Sequence, residues 1–297
     1  MGYMHIGERI RELRVSKLMT QSELAGNYIT RNMLSCIENG TANPSLSTIT
    51  YIAKRLNVPA GFLLAEEGDE LVYRKMSNLS NIKGAYIAGD VRGCRELCIS
   101  GCITTDDEIA LLLASCDAKI AEEEFLNGRL HSSCRFFDEA LSYAEKTIYP
   151  TDAIEAEAKI YFQYMENVSP TLYSELLDEK KKSSVQSKSL FALYVEALDA
   201  LNREDFTFAE NYLRDADPNS FWYRHISIRR MILQEDYKTA IKLLLQVLNS
   251  ETPFSQMHLY IVLCELEICY RELEDFKEAY RYANERVVLL EQFLKET

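Results

Sequence analysis

Proline and glycine are scarce in this chain, six and eleven among 297 residues. Both interrupt helices, proline by removing a donor and clashing with the preceding turn, glycine through its backbone entropy. A sequence that uses so few of them, and is rich in Leu, Ala, Glu and Lys, is predicted to be mostly helical. No run of about 18 apolar residues occurs, and the start Met1–Ile6 lacks the long apolar core of a secretory signal, so a cytosolic protein with no membrane contact is expected. Histidine is also rare. His5, His131, His225 and His258 are scattered, with no His-Glu-x-x-His pattern, nucleophile elbow or phosphate loop. Nothing argues for catalysis, and no cofactor or metal is expected. The eight cysteines read as reduced core residues before they read as disulfides. Cys94, Cys98 and Cys102 make one helical stripe at i, i+4 and i+8. Zinc would want a fourth ligand and usually a tighter pair, so a packing seam is expected there.

Positive charge is short overall, with a formal net charge of −13, yet it is unevenly spread. Residues 1–66 hold seven Lys or Arg against five Asp or Glu, and residues 67–297 hold 26 against 41, giving a head of +2 on a body of −15. A slightly basic module joined to an acidic one fits a nucleic-acid reader carrying a sensor or assembly domain. With 47% hydrophobic residues the chain is long enough for two domains with substantial cores.

In the head, Ile6, Ile10 and Leu13 recur at helical spacing and predict a first helix over 5–17, whose Arg9, Arg11 and Arg14 lie largely outside the apolar stripe and are candidates for phosphate contact. Thr20 followed by Glu23 has the capping-box spacing of a helix start. After a tight connection a helix from about Thr30 to Glu38 is predicted, with Leu34 and Ile37 turned inward and Asn39-Gly40 as its stop. Ser45 or Ser47 can cap a fourth helix buried through Ile49, Ile52, Ala53 and Leu56, and residues 60–64 form a short fifth. Glu66-Glu-Gly-Asp-Glu70 is charged and has nothing to bury, which makes it the expected boundary, followed by a connecting helix near 71–80.

Four pieces of the head, Thr20-Gln21-x-Glu23-Leu24-Ala25, Leu34-Ser35-x-Ile37-Glu38-Asn39-Gly40, Pro44-Ser45-Leu46 and Ile52-Ala53-x-x-Leu56-Asn57-Val58-Pro59, resemble the lambda-repressor-like, or XRE, helix-turn-helix family over about the first 65 residues. That resemblance implies double-stranded DNA as partner. It places Arg31 and Asn32 where base-reading residues sit, Gln21 where a phosphate or base-edge contact is usual, and Asn39 and Thr41 where the backbone is anchored. Thr30, Met33 and Ser35 complete the expected DNA-facing set, since arginine can bond guanine, asparagine adenine, and methionine can touch a thymine methyl. Cys36 stands where the family often has a long polar residue.

Behind the head, Asp205-Phe206-x-x-Ala209, Asp236-Tyr237-x-x-Ala240 and Asp275-Phe276-x-x-Ala279 repeat one pattern, with a looser copy from Gly128 to Leu141. Each copy is expected to end one helix, open the next, and place a small residue where the two approach. These copies resemble tetratricopeptide repeats. The fold expected is therefore all-α: a five-helix lambda-repressor-like domain (1–66), a linker or connecting helix (67–80), and a right-handed tetratricopeptide-like array (81–297) with helix pairs near 103–147, 152–184, 187–217, 220–249 and 254–296. Glu122–Glu124 and Lys180–Lys182 read as solvated charge runs.

Such arrays bind extended peptides on their concave face. The repeat register predicts Phe191, Tyr194, Asn202, Trp222, His225 and Arg229 on that face; packing of Trp222 between units, with His225 a satisfied neighbour, is the other reading. The whole architecture resembles the Rgg- and PlcR-type peptide-responsive regulators grouped as RNPP. The resemblance implies a homodimeric transcription regulator, in a quorum-sensing system, whose DNA binding is set by a short peptide. A protein partner in place of the peptide, or an assembly scaffold that no longer reads DNA, are the alternatives.

Overall fold

The computed structural model describes residues 6–65, 69–101, 106–169, 189–249 and 254–295. Among them every regular element is an α-helix, and the chain divides into two compact units, Met1–Thr105 and Asp106–Thr297. His5, Cys102, Glu66–Gly68, Lys180–Lys182 and the second helix expected before residue 184 lie outside the described residues.

The first unit contains α1 (Ile6–Ser16), α2 (Gln21–Ala25), α3 (Arg31–Glu38), α4 (Leu46–Leu56), α5 (Ala60–Leu64), α6 (Asp69–Ile87) and α7 (Val91–Gly101). Polar caps decide where the short helices begin. Thr20 accepts from the Glu23 amide at 3.2 Å while the Glu23 carboxylate accepts from the Thr20 amide at 2.7 Å, which is the reciprocal capping box. Thr30 caps α3 by accepting from the Met33 amide, and Ser45, not Ser47, caps α4 by accepting from the Thr48 amide. Ile10, Leu24, Leu34, Ile37, Ile52, Leu56 and Leu63 close over one core, each contributing roughly 1.5–3 kcal/mol by leaving water. Gly7 lets α1 approach α3 closely, because a Cβ there would strike the Ile37 carbonyl. Helices α6 and α7 pack on each other, and Cys94 and Cys98 are buried together with Ile82 and Val91.

The second unit contains α8 (Asp107–Leu126), α9 (Leu130–Ala144), α10 (Asp152–Val168), α11 (Leu190–Asn202), α12 (Phe206–Asp215), α13 (Phe221–Leu233), α14 (Tyr237–Leu248), α15 (Gln256–Glu272) and α16 (Phe276–Lys295). Four helix pairs, α8/α9, α11/α12, α13/α14 and α15/α16, follow the expected boundaries. The repeated Asp-aromatic pattern corresponds to one turn. In three copies a glutamate, Glu204, Glu235 or Glu274, takes a left-handed conformation with φ of 60°, 65° or 61°. Its amide and the next one return to the helix just ended, as in Asp236 to Met231 and Glu235 to Ile232, both at 3.0 Å, forming a Schellman closure. The following Asp205, Asp236 or Asp275 then caps the next helix, accepting from Phe208, Thr239 or Glu278. In the α8–α9 copy Gly128 takes the left-handed position and Arg129 replaces the capping aspartate. Ala209 and Ala240 are fully buried where the helices of a pair meet, and Ala279 nearly so. The last pair also packs on the first, α15 against α8 and α16 against α9.

One expected solvated run is otherwise disposed. Glu124 is buried and holds the Arg129 guanidinium through both oxygens, and Glu122 is half-buried, because α8 is apolar on nearly all sides.

The turns make a paired prediction. Replacing Glu235 with Gly removes the cost of a side chain in the left-handed region and should raise stability by about 0.5–1 kcal/mol. Asp236→Ala removes the cap and should lower it by about 1 kcal/mol. Urea midpoints at constant m-value check both, and two shifts of the same sign would contradict the turn geometry.

Candidate functional site

The peptide-face candidates lie around a polar chain inside the second unit. Tyr194 is completely buried, and its hydroxyl meets His225 Nδ1 at 3.0 Å. His225 Nε2 meets Glu265 Oε1 at 3.2 Å, and Arg229 Nη1 donates to Glu265 Oε2 at 2.9 Å. A carboxylate accepts only, so Nε2 of the imidazole carries a proton and donates it to Glu265. Burial alone pushes the Glu265 carboxyl up, but the His225 hydrogen bond and the Arg229 charge outweigh it and leave it below its usual range. Tyr164 lies beside the chain, its ring centroid 6.4 Å from that of Tyr194.

Aromatic rings enclose these groups. Trp222 contacts Tyr194 at 4.4 Å, Phe191 at 5.3 Å and His258 at 4.9 Å between ring centroids, and Phe221 stacks on His258 at 3.8 Å. Of the six candidates, Phe191, Tyr194 and His225 are therefore interior, Trp222 and Arg229 are half-buried at the edge, and Asn202 is exposed at the end of α11, outside the cluster. Both ring nitrogens of His258 and Nε of Arg229 are covered and lack a hydrogen-bond partner. Sequence reasoning missed Tyr164, Glu265 and His258. Glu265 had a signal: it lies four residues after Ile261 and three after Val262, an acid on an apolar helix face.

In the first unit α3 turns Leu34 and Ile37 into the core and leaves Arg31, Asn32, Met33 and Cys36 exposed, with Ser35 partly covered. Thr30, Asn39 and Thr41 are exposed at its two ends. The Thr41 hydroxyl donates to the Cys36 carbonyl at 3.0 Å and steadies the stop after Glu38. Gln21, at the start of α2, is half-buried and donates to Glu38 Oε2 at 2.9 Å. The same carboxylate receives Arg14 Nε at 2.7 Å and Nη2 at 3.0 Å, so one buried glutamate ties α1, α2 and α3 together. From the other side, Tyr51 of α4 donates to the Ala25 carbonyl and Arg55 to that of Glu23.

Two of the arginines expected to meet phosphate are internal. Arg9 is buried and donates from Nη1 to the carbonyls of Phe62, Leu63 and Ala65, satisfying the end of α5. Arg14 is engaged by Glu38 and by the Met19 carbonyl. Only Arg11 of the three is exposed. Helical periodicity put all three outside the stripe because it cannot register carbonyls and carboxylates supplied by other helices.

Residues 10–63 match the family model described as helix-turn-helix. These residues form a helix-turn-helix domain, of the XRE type. Among curated proteins the chain is similar to the HTH-type transcriptional activator BcrR of Enterococcus faecalis, 33% identical over 85 residues, covering 28% of this chain and 41% of that protein. It is also similar to the immunity repressor protein of Bacillus phage phi105, 35% identical over 65 residues, covering 22% and 45%. The matched segments thus span less than half of either curated relative. A solved structure, Bacillus thuringiensis PlcR in complex with the peptide PapR7 and DNA, is similar at 14% identity and a TM-score of 0.24, over 97% of this chain and 95% of that one.

Within the helix-turn-helix domain, Glu38→Ala leaves the Arg14 guanidinium buried without its counter-charge and should cost about 3–5 kcal/mol. Gln21→Ala, which removes one donor of several, should cost about 1 kcal/mol. Thermal unfolding of the two variants checks the order. In the second unit, burial lowers the His258 pKa from 6.5 to about 4, with the nearby His225 adding to the effect. The unfolded imidazole gains a proton below about pH 6.5 and the folded one only below about pH 4, so His258 makes stability fall as pH drops through that window. Glu122, raised to about 7 by burial and by Glu157, acts in the opposite sense, since its contribution falls as pH rises from 4.5 to 7. Denaturant titrations of the wild type and His258→Gln across pH 4–7 isolate the histidine part, which should vanish in the variant.

Proposed function

We propose that the chain is a sequence-specific, DNA-binding transcription regulator of the cytosol. In this reading residues 1–66 read DNA, 67–80 connect, and 81–297 form a tetratricopeptide-like array that dimerises and takes a short signalling peptide. The observation that carries the DNA reading is the row Arg31, Asn32 and Met33, exposed on α3 while Leu34 and Ile37 anchor the helix from behind. A capped helix fixed on its inner side by packing presents bidentate and apolar base readers without further ordering cost. Gln21, Ser35, Asn39, Thr30 and Thr41 flank this row and set its register on the backbone.

The peptide reading rests on the edge of the aromatic cluster. Trp222 and Arg229, two helical turns apart on α13, are both half-buried, the Arg229 side chain being 21% exposed. A ring edge and the partly exposed guanidinium suit an apolar side chain and a carboxylate of a short peptide. Because Arg229 also holds Glu265, a ligand that engages it changes the Tyr194–His225–Glu265 chain across α11, α13 and α15. That provides the differential contact without which a ligand shifts no equilibrium.

Binding to selected genomic fragments should weaken steeply with salt as phosphate contacts release counterions. Arg31→Ala should relax base preference at one position and cost roughly 1–3 kcal/mol. Fluorescence anisotropy with footprinting reads both, and salt-insensitive binding or an unchanged footprint would refute the DNA reading. Trp222 is the single tryptophan of the chain, so its emission reports a peptide directly, and Trp222→Phe should abolish the ligand response while leaving DNA affinity intact.

A further inference from the structure

Among the described helices of the second unit only α13 and α14 contain no Asp or Glu, although residues 67–297 hold 26 Lys or Arg against 41 Asp or Glu. On α14 the buried residues are Ala240, Leu244 and Val247, and the helix packs on α13 and α15. The opposite side carries Lys238, Ile241, Lys242, Leu245, Gln246 and Asn249, which among the described residues line a groove of about 550 Å³. Ile241 and Leu245 are its half-buried floor. Lys238 and Lys242 flank that floor toward the start of the helix, Gln246 and Asn249 toward its end, and all four are exposed. Among the described residues neither lysine has an ion-pair partner. Nor does the helix itself call for them. Lys238 is the second residue of α14, where a cation meets the positive end of the helix dipole.

We infer that this groove docks an acidic amphipathic helix of a partner protein. A small molecule is a poor occupant, because four of the six lining residues are exposed and would leave it largely in water, whereas small-ligand sites enclose most of their ligand. A nucleic-acid backbone is a poor one too, since it binds by many phosphate contacts and would here meet two cations beside an apolar floor. A helix laid along α14 answers both halves of the surface. Its apolar residues rest on Ile241 and Leu245, and two carboxylates one turn apart reach Lys238 and Lys242. From Lys238 to Asn249 the groove runs roughly 17 Å, about three turns of such a partner. Asn249 spends one amide hydrogen on the Leu245 carbonyl at 2.9 Å, and Gln246 is exposed beside it for polar groups at the far end. The acidic remainder of the array repels the same partner elsewhere, so charge sets where it lands as well as how fast it arrives. The site is separate from the peptide reading, which concerns α11, α13 and α15.

The test uses the full chain and a fluorescein-labelled, stapled alanine-based helix of about four turns, read by anisotropy. The probe carries two glutamates and two leucines at the spacing of Lys238, Lys242, Ile241 and Leu245. It should bind the wild type in the micromolar range, and its version with serines for the leucines should not. Lys238→Glu with Lys242→Glu, both at exposed positions, should weaken the probe roughly tenfold with an unchanged melting temperature and unchanged affinity for duplex DNA. A probe with lysines for the glutamates should reverse the preference and choose the doubly substituted chain. A probe that fails to bind the wild type, or binds both chains alike, overturns the site. Indifference to the leucines overturns the groove floor as part of it. Loss of duplex DNA or phosphatidylglycerol-vesicle binding in the substituted chain assigns the lysines to a polyanion and overturns the helical occupant.

Discussion

A carboxylate buried in an all-helical stack must be answered by donors, and at Glu265 those donors come from a neighbouring repeat, itself bonded to a third. His225 and Arg229 reach it from α13, and Tyr194 reaches His225 from α11. Replacing such a group by a hydrocarbon is often harmless, whereas removing one partner is costly, so its value lies in fixing which helices stand beside which. Apolar packing alone would tolerate a slide of one helix pair along the next. The Tyr194–His225–Glu265–Arg229 chain tolerates only the arrangement in which every donor finds its acceptor, and the aromatic rings from Phe191 to His258 are packed around that arrangement.

The helix-turn-helix domain repeats the device on a smaller scale. Glu38 belongs to α3, yet its side chain faces backward to Arg14 and Gln21. The residues that would touch DNA and the residue that orients them are thus on opposite sides of the same two turns. Loss of the inner contact would therefore disturb the exposed row, although Glu38 is itself buried.

Much of this architecture was legible from local chemistry. Thr20 with Glu23, Thr30 and Ser45 announce helix starts because a cap is a hydrogen bond between residues three apart, and the Asp-aromatic-small pattern locates the turns of the array for the same reason. What stayed hidden depends on partners far away in the chain. Arg9 and Arg14 look like surface charges until the carbonyls of α5 and the carboxylate of Glu38 are placed beside them. Phe191, Tyr194 and His225 have the composition of a ligand face, but the structure turns them into the interior, because neighbouring repeats contribute Glu265, Tyr161 and Trp222 to the same space. The left-handed glutamates were illegible for a further reason: nothing in the residue type signals a positive φ, only the closure of the turn around it.

Gly128 is where the ends of the array meet. A Cβ at that position would collide with the Phe293 ring, so the last helix is seated in a notch at the first turn. A row of repeats with free ends behaves as a spring, taking up a local push by opening a little at each joint. One whose final pair is keyed into its first behaves as a hoop. A displacement at α13 then cannot dissipate outward along the chain and must either be refused or move the rim as a whole. If a ligand at Trp222 acts on anything distant, that single missing methyl group is part of what lets the push arrive.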